Sequence, residues 1–108
     1  MTQSNDRTTT AGTEFSRTGD GSYRVVGSLV FATVRDVLRQ SGSAFAAESQ
    51  LVIDLSQVAA ADSAGLALLI EWYRLAERAK QPLKFSRAPP QLVALAKISD
   101  IDTLLPFG

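Results

Sequence analysis

The chain has 108 residues, enough for one domain with a single core and little to spare. Eleven basic residues balance eleven acidic ones, so there is no general electrostatic footprint for a nucleic acid or an anionic membrane surface. The absence of cysteine excludes disulfides and thiolate metal sites, and the absence of histidine removes the commonest general base and metal ligand.

The opening Met1-Thr-Gln-Ser-Asn-Asp-Arg-Thr-Thr-Thr10 lacks the apolar core of a signal peptide. No apolar run approaches the roughly 20 residues that span a bilayer. The expectation is a cytoplasmic protein that inserts in no membrane itself and reaches one only through a partner. Residues 1 to 13 are polar and without periodicity, which predicts a disordered tail ahead of a domain over residues 14–108.

Glu14 to Thr18 and Ser22 to Val26 predict two strands joined at Gly19-Asp20-Gly21, with Phe15, Tyr23 and Val25 turned toward the core. From Phe31 to Arg39 a helical pattern begins, with Val34, Val37 and Leu38 on its apolar face. Ser41-Gly42-Ser43 is a stop signal, and Ala44 to Gln50 is either a short extension of the helix or a loop. Leu51 to Leu55 predicts a strand apolar enough to need cover on both faces, followed by a polar turn.

The longest helix is expected from Ala64 to about Lys80. Its apolar residues spread over more than half the circumference, whereas a helix facing one core needs a stripe of about 100°. The excess calls for a second packing surface, either a neighbouring helix or a partner protein. Pro82 ends this helix, Leu83-Lys-Phe-Ser86 alternates as a strand, and Pro89-Pro90 opens a helix with Leu92, Leu95 and Ala96 on its apolar face. Ile101 to Leu105 predicts a last short helix. The succession of strands and helices predicts an α/β fold, a small mixed sheet of about four strands with helices packed mainly on one side.

Chemistry concentrates at Asp62-Ser63. With a helix starting at Ala64, Ser63 is its N-cap and Asp62 adds negative charge at the positive end of the dipole. Capping alone accounts for this pair. Ala64 and Gly65 leave the hydroxyl uncovered, however, and such a helix start also suits a phosphate. No histidine is available to activate Ser63, and no glycine-rich phosphate loop, metal spacing or pair of convergent carboxylates appears elsewhere. Asp100 and Asp102 fit solvated turn acids. An enzyme is not expected, nor a cofactor or a metal.

The strand Leu51 to Asp54, the turn, and Asp62-Ser63-Ala64-Gly65-Leu66 opening a helix resemble the signature of STAS domains, the sulfate transporter and anti-sigma factor antagonist modules. Gly27-Ser-Leu before the first helix and Leu83-Lys-Phe before Pro89 agree with it. Within this family, anti-sigma factor antagonists are phosphorylated on the serine after the aspartate, which Ser63 matches, though they typically carry a second serine where this chain has Ala64. The long helix through Glu71-Trp72, Leu92 to Lys97 and the closing Leu104-Leu105-Pro106 are more similar to the MlaB branch, cytoplasmic STAS subunits of the Mla phospholipid ABC transporter. That resemblance implies a non-catalytic partner of the ATPase subunit MlaF, and through it of MlaE and MlaD. It implies contact through Asp62, Ser63, Ala64, Gly65 and Leu66, and more weakly through Leu38, which lies near an aromatic contact residue of the branch. A nucleotide-binding STAS domain is a third, weaker expectation.

Overall fold

The computed structural model describes residues 12–108, so residues 1–11 of the expected tail lie outside it. In chain order it contains β1 (Glu14–Gly19), β2 (Ser22–Leu29), α1 (Val34–Ala47), β3 (Leu51–Ala61), α2 (Ser63–Ala79), β4 (Leu83–Ser86) and α3 (Pro90–Ile98). β1 and β2 pair antiparallel, β3 and β4 follow in parallel, and the sheet order is β1-β2-β3-β4. Each parallel connection steps one strand in the same direction through a helix. Right-handed crossovers that all step the same way leave their helices on one face. The step repeats after α3, where Phe107 forms a parallel bridge with Phe85 and extends the sheet past β4.

One core joins this face to the helices. Val25, Leu29, Ile53, Leu55 and Phe85 from the strands meet Val37 of α1, Leu69 and Trp72 of α2, and Leu92 of α3, all fully buried. Phe15 stacks on Tyr23 with ring centroids 4.8 Å apart, so the hairpin closes the near end of the core as its alternation predicts. α2 packs between α1 and α3, which supply much of the second surface its wide apolar arc requires.

β3 is twice as long as expected, because the polar turn after Leu55 is strand. Its buried residues are Leu51, Ile53, Leu55, Val58 and Ala61, so the inward spacing changes from two to three. Pairing with β2 explains the change. Arg24 faces Asp54 but Val26 faces Gln57, and Gly27 faces Val58 but Leu29 faces Ala61. At each place β3 carries one extra residue, a bulge that bends the strand and keeps the next apolar side chain inward. The expected cover on both faces of β3 is also corrected. Val52 and Asp54 lie half-buried on the face that no helix covers.

Three further expectations fail locally. Ser41-Gly42-Ser43 does not stop α1, which continues to Ala47. Ser41 is buried, donates to the carbonyl of Leu38 at 2.8 Å and accepts from Trp72 Nε1 at 2.8 Å, so tertiary packing holds the segment helical. Ile101 to Leu105 forms a single turn, with Leu104 and Leu105 both donating to the carbonyl of Ile101. So short a run before Pro106 cannot offset the cost of nucleating a helix. Thr13, assigned by sequence to the tail, is 2% exposed and donates its hydroxyl to the carbonyl of Ser28 at 2.6 Å.

On the uncovered face, Asp54 accepts from the backbone N–H of Ser56 at 2.8 Å, from Arg87 at 2.7 Å and from Arg24 at 3.4 Å. Burial works against the charge of Asp54, yet the Ser56 N–H and hydroxyl and the Arg87 guanidinium together outweigh it. They hold the carboxyl down from 3.8 to about 2. Because the folded value lies below the unfolded one, the stabilisation is complete above about pH 4 and is lost as pH falls from about 4 to about 2. Denaturant titrations from pH 5 to 2 are expected to show wild type losing more stability than Asp54→Asn across that window. Parallel curves would remove Asp54 as the source.

Candidate functional site

The parallel strands β2 and β3 both deliver their C-terminal ends to helix starts, and the site forms where those starts meet. Asp62 has an extended backbone (φ −129°, ψ −166°) and is the N-cap of α2. Its Oδ1 accepts from the N–H groups of Ala64 at 2.8 Å and Gly65 at 3.3 Å, and its Oδ2 accepts from the N–H of Phe31 at 3.2 Å. One carboxylate thus satisfies two free donors of the helix and ties them to the β2–α1 loop. The expected assignment of the cap to Ser63 is corrected by one position. Aspartate's shorter reach to N2 and N3 takes the capping place, and Ser63 becomes the first helical residue.

This correction matters for what Ser63 can do. It is exposed, and its hydroxyl has no hydrogen-bond partner among the described residues. A serine engaged in capping would hold its oxygen against the helix; here the cap is Asp62 and Ser63 is an exposed first helical residue.

Gly65 serves a different purpose from the one its sequence position implied. It is buried, and a Cβ built on it would lie 2.3 Å from the carbonyl oxygen of Leu29 and 3.1 Å from the Leu29 Cβ. Its role is close approach of α2 to the end of β2, not exposure of the hydroxyl. Leu66 is 6% exposed and belongs to the core. Of the residues singled out by sequence, Asp62 and Ser63 are at the surface, Ala64 is half-buried beside them, and Gly65 and Leu66 face inward.

Leu38 is half-buried and joins Ala64 in one feature, an open groove of about 570 Å³ between α1 and α2. Leu38, Ala64, Ala67 and Leu68 give it an apolar lining, with Arg35 and Glu71 on the facing helices. Phe31, 85% exposed, also lines it and is absent from the set that sequence singled out. The helical spacing places it at the first position of the expected helix. The available signal was Thr33 two positions later, whose hydroxyl accepts from the N–H of Val30 at 3.1 Å and donates to the carbonyl of Ser28 at 2.6 Å, closing a turn that leaves Phe31 outside.

Chemically the arrangement offers an exposed hydroxyl-bearing residue at a capped helix start next to an apolar groove. Among the described residues, no group of three or more His, Cys, Asp or Glu side chains converges as a metal would require. No described helix is long and apolar enough to cross a membrane.

The fold and this site can be set against known proteins. The chain is similar in structure to a candidate anti-sigma factor antagonist from Thermotoga maritima, with a TM-score of 0.72, 10% identity, and coverage of 88% of this chain and 84% of that one. It is also similar to the anti-sigma factor antagonist SpoIIAA in its unphosphorylated form, with a TM-score of 0.62, 14% identity and 82% of each chain covered. At these identities the likeness is one of fold. Among proteins of curated function, none matches the sequence. The family model described as the MlaB STAS domain matches residues 16–106, from β1 through the segment after α3. The chain therefore belongs to the MlaB-type family of STAS domains.

Proposed function

We propose that this protein is a non-catalytic subunit that binds the ATPase MlaF of an Mla-type phospholipid ABC transporter and supports its assembly and activity. Through MlaF it would join MlaE and MlaD, lie in the cytoplasm peripheral to the inner membrane, and serve outer-membrane lipid asymmetry. STAS-domain proteins are generally non-catalytic, which agrees with a role in binding. The observation that carries the proposal is the exposed Ser63 at the capped start of α2, in a chain that the MlaB-type model matches over residues 16–106. Asp62, Ser63 and Ala64 then form the polar end of the contact, and Leu38 its apolar floor. Gly65 and Leu66 act from beneath by fixing where the helix begins.

The test is co-purification with MlaF. Wild type is expected to retain the ATPase, and Ser63→Arg to lose it while keeping its fold, because Ser63 is exposed. Retention unchanged by this bulky charge would remove the site.

One alternative has its own support, since the two similar structures are of anti-sigma factor antagonists and Ser63 follows an aspartate at a helix start. In that case a kinase would phosphorylate Ser63, adding a charge of about −1.5 to −2 that switches partners. Mass spectrometry of protein from cells separates the two. Stoichiometric phosphate on Ser63, with Ser63→Ala and Ser63→Asp behaving oppositely, would favour the switch. Unmodified Ser63 and a functional Ser63→Ala would favour the transporter subunit.

A further inference from the structure

Val26, Phe31, Ile98 and Leu104 are the large apolar side chains left exposed among the described residues. Of these, Phe31 alone lines the groove between α1 and α2. A lone exposed apolar side chain is ordinary, but one that continues an apolar groove marks a surface with something to bury.

Hydrogen bonds hold the turn that points this residue outward. Thr33 and Val34 donate their N–H groups to the carbonyl of Val30 at 2.9 and 3.0 Å. The N–H of Phe31 itself donates to Asp62 Oδ2, while Oδ1 of the same carboxylate caps α2. One side chain therefore sets both the start of the helix that carries Ser63 and the turn that carries Phe31.

The groove also has a charge pattern. Arg35 of α1 and Glu71 of α2 bring opposite charges to it, and among the described residues neither forms an ion pair. It fits a segment that sets an apolar side chain between an acidic and a basic one.

Resting on the reading of Ser63 as the contact with MlaF, we propose that Phe31 is the apolar anchor of that contact and Asp62 its positioning residue. The occupant is a segment of MlaF with an apolar side chain against Phe31, an acid toward Arg35 and a base toward Glu71. An aromatic side chain at the centre of a contact, with charges at the rim, is where binding energy concentrates. A turn already hydrogen-bonded costs less to order on binding than a loose one, so more of the burial counts toward affinity.

The test titrates MlaF against wild type and variants. Phe31→Ala should weaken binding by about 10- to 100-fold, the fold-change that matches burial of one large apolar side chain. Its melting temperature should not move, because the ring is exposed, and Phe31→Leu should recover most of the affinity. Asp62→Asn keeps an oxygen for the two helix N–H groups but has no second acceptor for Phe31. In that variant the Phe31 amide should exchange hydrogen faster while the Gly65 amide stays protected. The loss of binding in Asp62→Asn should largely vanish in the Phe31→Ala background, and additive losses would overturn the positioning role. Arg35→Glu combined with Glu71→Arg reverses the groove at constant net charge and should cost at least about tenfold; unchanged binding would overturn the assigned partner chemistry. Loss of binding in Ser63→Arg with full binding by Phe31→Ala would overturn this proposal and leave the function standing. No binding by wild type would overturn both.

Discussion

Gly65→Ala is expected to lower stability by about 2–3 kcal/mol, the usual cost of forcing atoms into a packed site. Helix propensity alone gives the opposite sign, since alanine gains about 0.8–1.0 kcal/mol over glycine within a helix. Geometry decides between them. The new methyl would meet the carbonyl oxygen of Leu29 at 2.3 Å, and this neighbour is backbone that cannot swing aside. The same carbonyl accepts from the N–H of Asp62 at 3.3 Å, so moving it disturbs the residue that caps α2. For a domain of this size the loss corresponds to a fall in melting temperature of about 10–20 °C. A thermal melt checks it, and a temperature that is unchanged or raised would show that the helix start is looser than described. On the proposed function, MlaF capture should fall as well, because Ser63 moves with the turn.

Trp72 is the second position where a large effect is expected. It is fully buried, with its ring between Phe15 at 5.5 Å and Phe85 at 6.3 Å, and Trp72→Ala should cost about 3–5 kcal/mol. That is a large part of the 5–15 kcal/mol that typically stabilises a domain. Ser41 is the more informative partner. It is the hydrogen-bond acceptor for the indole N–H, so Ser41→Ala strands a buried donor and should cost about 1–3 kcal/mol, far more than loss of a surface hydroxyl. Trp72→Phe removes the donor itself. In that background Ser41→Ala should be much milder, with a coupling of about 0.5–3 kcal/mol in a double-mutant cycle. Urea denaturation of the four proteins measures it. Additive losses would mean that the bond contributes nothing beyond packing.

Both predictions rest on contacts that sequence periodicity cannot display. The strand around Ile53, the hairpin, the long helix and the strand at Leu83 were legible because alternation and helical spacing are local properties of the chain. The second half of β3 was not, because two bulges change its inward spacing to Leu55, Val58 and Ala61, a period belonging to neither strand nor helix. Ser41 looked like a terminator because its partner lies 31 residues away. At the start of α2 the cap falls to Asp62 rather than to Ser63, a one-position difference that turns on which side chain reaches Ala64 and Gly65. Phe31 escaped because nothing around it signals exposure until Thr33 closes the turn.

The bulges of β3 also separate two kinds of information. Each inserts one residue between inward side chains without altering which of them face the core or which residues of β2 they oppose. A chain lacking either extra residue would keep the same side chains inward and the same cap at the helix start. What it would lose is the bend. The inserted residues therefore work as a vernier, setting the angle at which Asp62 and Ser63 are offered while leaving their identity to the residues themselves.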